Sequence, residues 1–389
     1  MIDPTDVLWV KMICYDGPQE WIIIDKESVM DPVKKNALVL VSLTLVFLSG
    51  CHSLGPDTVS RDRFEYTDAI SESWKRQMLL NMVKIRYGDA PVFLDVTSVI
   101  NQYATETEVH GSLAWDAFLP TDSQNVGASH KYADRPTISY QPLQGDKFTR
   151  GLMTPIPPHS ILALMEAGWR ADFLFRLCVQ SINGTYNRVG HHLTVKDADP
   201  DFYRLIDGMR KIQKSAAVGM RLHKAKEGQP TNVLFFRDED IDPEIAQEQK
   251  TVRHILDLDM ERQNFTVLYG ALARDDTEIA ILTRSMLQIL SELASYIETP
   301  EIHVQETRAP GNFAVAADTK AGVPPLLRVY SALKRPEDVF VSIQYRGYWY
   351  WIDDRDYPSK RMFTFMMYLF TLAETGTPSQ APVLTIPAG

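Results

Sequence analysis

The chain has 389 residues, a formal net charge of −10 and 45% hydrophobic residues. At roughly 100–200 residues per domain, that length holds one large or two small domains with a sizeable core. The acidic balance excludes a basic surface for nucleic acid, and it gives anionic lipid headgroups nothing to attract.

The first 29 residues carry six acidic side chains against two lysines, with Trp9, Trp21 and Ile22 among them. A secretory signal needs its positive end near the start of translation. Residues 1–29 therefore read as an extension upstream of the true start at Met30. Residues 30–50 then form a compact signal: Lys34 and Lys35, an apolar run over 37–48, and small residues before Cys51. The run is too short for a membrane span, which needs roughly 20 residues, and suits a signal core. The ending Leu48-Ser49-Gly50-Cys51 resembles a bacterial lipobox. That resemblance implies cleavage before Cys51, diacylglycerol on its thiol and palmitate on the new amino terminus. His52 follows, where the inner-membrane retention signal would be aspartate, so the resemblance implies export to the outer membrane.

Residues 51–66 read as a lipidated tether, with Gly55-Pro56 inside a polar stretch. Two regions follow, an N-terminal α/β region over 67–236 and a C-terminal one over 237–389. A helix is predicted from Asp68, because Ile70, Trp74, Met78, Met82 and Ile85 recur at spacings of three and four. Gly88 and Pro91 stop it. Residues 92–103 alternate, with Val92, Leu94, Val96 and Ile100 on one face. A second strand near 137–140 follows a polar loop containing Gly127 and Pro136, so the two form a hairpin with a long connection. Ser160 opens a helix, Gly168 interrupts it, and a further apolar stretch runs to Cys178. With Cys51 assigned to lipid, Cys178 has no disulfide partner in the mature chain, and its apolar helical setting predicts a buried, inert thiol.

A helix is expected over 197–214 and a strand over 233–236, followed by the acidic run Asp238, Glu239, Asp240 and Asp242. The last third suggests a weak duplication of strand, acidic turn and helix. Residues 265–272, Asp275-Asp276 and a helix over 283–296 parallel residues 339–352, Asp353-Asp354 and a helix over 359–373. Met286, Leu293 and Glu298 match Met362, Leu369 and Glu374. The fold class expected is α+β, mainly antiparallel sheet with helices packed against it.

Signatures for phosphate loops, zinc hydrolases, paired thiols and nucleophile elbows are absent from the sequence. Ser331 and Lys334 have the spacing of a Ser-x-x-Lys pair, but a motif this loose reads as an exposed helix serine and lysine. His191 and His192, near Asp197, Asp199 and Asp201, offer metal-ligand atoms at irregular spacing, and read instead as a solvated turn with helix-capping aspartates. No metal, cofactor or catalytic residue is therefore assigned. The aromatic run Tyr345, Tyr348, Trp349, Tyr350, Trp351 is denser than a half-buried strand needs. Alternation places Tyr345, Gly347, Trp349 and Trp351 on one face, expected in the core, and Arg346, Tyr348 and Tyr350 on the other. Tyr348, Tyr350, Arg346, Asp353 and Asp354 are the expected ligand or partner contacts, since rings beside carboxylates grip sugars and protein loops.

The runs 78–96 and 345–356, with Arg135-Pro136-Thr137-Ile138 and Ser181-Ile182-Asn183-Gly184, resemble a family of uncharacterised proteobacterial outer-membrane lipoproteins. The resemblance brings no activity with it. The expected function is a lipid-anchored, non-enzymatic interaction or assembly component on the periplasmic face of the outer membrane, with a protein or glycan partner in the envelope. An oligomeric transport component is the alternative, with the 92–140 hairpin joining other protomers in a membrane barrel. Asp95, Glu106 and Glu108 fit that alternative only if they face a lumen. An envelope hydrolase using Ser331 or the His191 region is the third reading.

Overall fold

The computed structural model describes residues 54–100, 103–114, 123–134, 137–145, 148–191, 194–223 and 231–374. The signal, the lipobox, Cys51 and the preceding extension lie outside the described residues. The chain divides into two units, residues 1–68 and 69–389.

Helix α1 (Leu54–Arg86) begins inside the segment expected as a tether. Pro56 in its first turn costs nothing there, because that turn has no intrahelical partner for its N–H. In the second unit the expected stripe is buried at Met78, Met82 and Ile85, joined by Leu79 and Val83, whereas Trp74 is partly buried and Ile70 is exposed. The helix ends on Gly88 at φ +75°, with Asp89 N–H donating to Lys84 O and Gly88 N–H to Ile85 O. This glycine-centred pair of bonds satisfies the last carbonyls.

Four strands follow: β1 (Leu94–Ile100), β2 (Tyr103–Ala114), β3 (Ser123–Asp134) and β4 (Thr137–Pro142). A π-turn (Thr149–Met153) leads to α2 (Pro158–Glu166) and α3 (Ala171–Cys178), with Gly168 between them at φ +96°. Next come β5 (Val179–Ile182), β6 (Thr185–Tyr186), β7 (Val189–His191) and β8 (Thr194–Lys196), then α4 (Pro200–Lys214), β9 (Val218–His223) and β10 (Thr231–Phe236). Helix α5 (Pro243–Ile255), β11 (Asn264–Tyr269), β12 (Glu278–Thr283) and α6 (Met286–Ala294) continue the chain. Short helices α7 (Glu301–Gln305) and α8 (Ala314–Lys320) precede β13 (Tyr330–Ala332), β14 (Val339–Tyr345), β15 (Tyr348–Asp353) and the long α9 (Tyr357–Glu374).

The fold is α+β. Its central sheet has the order β6-β5-β12-β11-β10-β9, antiparallel except between β11 and β12. Strands on both sides of Arg237 share this sheet, so residues 67–236 and 237–374 contribute to one layer. A second sheet has the order β13-β15-β14. Helix α9 packs on β15 and α6, burying Met362, Phe363, Phe365, Met366, Leu369 and Phe370.

The suggested duplication does not carry into topology. In the first segment a strand, β12, follows the acidic turn at Asp275 before helix α6. In the second, the hairpin β14–β15 precedes the acidic turn and α9 follows it directly. Residues 339–352, expected as one strand, fold back at Arg346 (φ +47°) and Gly347 (φ +85°), with Tyr345 paired to Tyr348. Two left-handed central residues are what a tight hairpin turn requires.

Candidate functional site

Over 103–114 and 123–134 the polar connection expected between two strands is itself strand. β2 and β3 pair over twelve residues, from Tyr103↔Asp134 to Ala114↔Ser123, and β1 and β4 pair from Leu94↔Pro142 to Ile100↔Thr137. From Ser98 onward the β1–β4 pairs keep the same register as the β2–β3 pairs, and the two ladders are together termed the ribbon. Neither outer edge of β2 or β3 pairs with another strand among the described residues.

One irregularity sits near the root. Val96 faces Tyr140 and Ser98 faces Ser139, so Thr97 is the extra residue of a β-bulge. The bulge shifts the phase of β1: Val99, rather than the expected Ile100, joins Leu94 and Val96 on the face that carries Ile138 and Tyr140. That face is open at the root, with Leu94 42%, Ile138 40% and Tyr140 57% exposed.

The root is gripped by two amide side chains. Gln77 and Asn81 lie one turn apart on α1, and each forms a two-way hydrogen-bonded pair with one residue of the incoming strand. Gln77 Nε2 donates to Leu94 O at 3.0 Å and Leu94 N–H returns to Gln77 Oε1 at 2.8 Å. Asn81 Nδ2 donates to Val92 O at 2.8 Å and Val92 N–H returns to Asn81 Oδ1 at 2.9 Å. A carboxamide presents the same donor and acceptor as a peptide group, so the helix offers Val92 and Leu94 a substitute for a neighbouring strand. Phe93, between them, is buried with its ring 4.9 Å from that of Phe370 on α9. Asn81 is buried and Gln77 meets solvent, so Asn81→Ala will cost about 1–3 kcal/mol and Gln77→Ala less than about 1. Hydrogen exchange checks this residue by residue: the Val92 amide loses protection in the first variant, the Leu94 amide in the second.

A polar and aromatic cluster adjoins the root. Tyr87 OH lies 2.6 Å from His303 Nδ1 and 2.5 Å from Tyr350 OH. Tyr345 OH donates to Asp89, which also takes Arg346 Nη2 at 2.9 Å. The Arg346 guanidinium lies 5.1 Å from the Tyr87 ring centre and 5.5 Å from that of Tyr345. These contacts offset the left-handed backbone of Arg346, which a non-glycine residue adopts at a cost of roughly 1–2 kcal/mol. The Tyr345 hydroxyl, and after it Arg346, hold the Asp89 carboxyl below the usual range. Burial, helped by Arg308, lowers His303, and burial raises the hydroxyls of Tyr87 and Tyr350.

The predicted contact residues separate along β15. Tyr350 is fully buried, Tyr348 is partly buried with its ring 5.0 Å from His303, and Arg346 holds Asp89. At the far end of the strand Asp353 Oδ1 accepts from Arg355 N–H at 2.8 Å and Asp354 pairs with Lys360 at 2.6 Å. The two aspartates therefore form no single site with Arg346 and Tyr348. The expected inner and outer faces are also reversed: Tyr350 and Ile352 face the core, whereas Trp349 and Trp351 are only half-buried. The reason is α9, which packs on the face carrying Ile352 and leaves the tryptophans against Arg335 and Tyr330.

Ser331 stands on strand β13, so Lys334 is not one helical turn from it. Asp199 occupies the position before α4, but its side chain makes no capping hydrogen bond there and instead accepts Tyr186 N–H at 2.7 Å. His192 lies outside the described residues, and among those described no group of three or more His, Cys, Asp or Glu could hold a metal ion. The acidic run also has structural partners: Asp242 accepts Glu244 N–H at 2.8 Å at the start of α5, and Asp238 takes Arg253 at 3.3 Å. Burial pushes the Cys178 thiol up to about 12.

A second ionic group lies in the core. The Glu292 carboxylate accepts from Arg188 Nη2 and, at 2.7 Å, from Gly190 N–H, with Arg284 at 3.9 Å. Asp318 takes Tyr296 OH at 2.5 Å and Arg176 at 3.1 Å, and burial raises its carboxyl. These contacts tie α3 and α8 to β7, to α6 and to the residues flanking both, which is a structural role.

Among the described residues no helix is long and apolar enough to cross a membrane. No protein-family model, curated protein or solved structure matches the chain.

Proposed function

We propose that this chain is a lipid-anchored protein on the periplasmic face of a bacterial outer membrane, acting as a non-enzymatic interaction or assembly component of the envelope. The observation that supports it best is the ribbon. Its root is fixed by side-chain amides and a buried phenylalanine, its long edges have no strand beside them among the described residues, and its root face exposes Leu94, Ile138 and Tyr140. An edge of that length invites pairing with another polypeptide, and isolated two-stranded hairpins are marginal by themselves. The sequence at 48–51 supplies the anchor. One acyl chain binds only marginally, but the diacylglycerol and N-acyl groups on Cys51 together hold the chain at the membrane, since each buried CH₂ contributes about 0.8 kcal/mol.

The anchor is tested by metabolic labelling with an alkyne fatty acid. The wild-type protein takes up label and fractionates with the outer membrane; Cys51→Ser loses at least ten-fold of the label and keeps its signal. A serine variant labelled at the wild-type level overturns the reading.

A further inference from the structure

We infer that the ribbon is a membrane-spanning β-hairpin, and that ribbons of several copies of this chain close edge to edge into one β-barrel. The inference rests on the envelope reading above and adds to it the partner, a second copy of the chain, and the role of each ribbon face.

The register sorts the residue types. One face carries Tyr103, Thr105, Thr107, Val109, Gly111 and Leu113 opposite Asp134, Tyr132, His130, Ala128, Val126 and Gln124. Between Thr105 and Leu113, and between Gln124 and Tyr132, this face has no Asp, Glu, Lys or Arg. The other face carries Glu106, Glu108 and His110 opposite Lys131, Ser129 and Gly127. Every ionised residue of the stretch thus falls on one side, which is the alternation of a barrel wall with lipid outside and water within. Thr105 to Leu113 is nine residues, about 30 Å of strand at ~3.4 Å per residue. With the usual tilt of about 40° it spans roughly 23 Å, close to the ~25 Å apolar band of an outer-membrane barrel.

Two strands cannot satisfy that environment by themselves. Each unpaired edge N–H and C=O in hydrocarbon costs several kcal/mol, so the sheet must close. Closure takes about eight strands or more, hence about four copies or more. In a head-to-tail ring the β3 edge of one copy meets the β2 edge of the next, so Lys131 lies between two strands that each carry Glu106 and Glu108. Opposite charges on neighbouring strands favour that register.

The test uses the processed, lipidated protein, in which buried Cys178 stays silent to thiol reagents. Single cysteines at Thr107, Val109 and Gly111, and at Glu106, Glu108 and Ser112, are labelled with NBD and reconstituted in phosphatidylethanolamine and phosphatidylglycerol vesicles. The first three should be quenched at least two-fold by nitroxide lipids and not by aqueous iodide, and the second three the reverse. The unsubstituted protein, extracted in mild detergent, should run as four copies or more. Iodide quenching at all six positions, the lack of a two-residue period, or a monomer in detergent would overturn the barrel. Thiol reactivity of Cys51 in the parent protein would instead overturn the lipid anchor, so the two failures are told apart.

Discussion

Glu292→Ala will destabilise the fold by about 3–5 kcal/mol, the usual cost of removing one partner from a buried ion pair. The carboxylate is 4% exposed and sits beside Arg188 and Arg284, each 3% exposed. Alanine leaves both guanidiniums in the core with the Asp318 carboxylate, 3.8 Å from Arg188 Nε, as the remaining acid of the group. It also frees Gly190 N–H, which now donates to Glu292 at 2.7 Å. The melting temperature should fall by about 10 °C, read by far-ultraviolet circular dichroism. Glu292→Gln, which keeps an acceptor for Gly190 while removing the charge, should lie between alanine and wild type. A loss below about 1 kcal/mol for alanine would show that the charges are solvated in the native state.

Tyr350→Ala will cost about 3–5 kcal/mol and Trp349→Ala distinctly less, although tryptophan is the larger side chain. Tyr350 is fully buried and its hydroxyl meets Tyr87 at 2.5 Å, whereas Trp349 is half-buried beneath Arg335. Tyr350→Phe keeps the ring and removes one hydrogen bond. Because Tyr87 retains His303 at 2.6 Å, that change should cost about 1 kcal/mol. Urea midpoints of the three variants give the order directly, and Trp349→Ala proving the most damaging would put the core on the other side of β15.

The α+β class, the helices near Met78, Leu205 and Phe363, and the strands near Val233 and Phe265 were legible because each buries a periodic apolar stripe. The ribbon was not, since Glu106, Glu108, Lys131 and the small residues between them dilute the alternation until it reads as a polar loop. Its signal was parity: the charges share one phase. The phase of β15 was illegible for the opposite reason, as aromatic side chains occupy both faces and only the placement of α9 decides between them. Gln77 and Asn81 had no sequence signal, because a polar residue at the border of an apolar helical stripe is usually solvated. The bulge at Thr97 is equally silent in a run of β-branched residues, yet it decides which valine joins the open face.

Twelve uninterrupted pairs between β2 and β3 also fix how this chain can change length over evolution. One residue added to either strand alone would exchange the two faces beyond it, moving acidic positions of that strand onto the face that otherwise carries uncharged ones. Relatives should therefore gain or lose ribbon residues two at a time in each strand, matched across the ladder, while single-residue changes collect at the root, where Thr97 is already the extra residue between Val96 and Ser98. Strand length then behaves as a ruler read in steps of two, and alignments of diverged copies can be registered on that parity even where side-chain identity has been lost.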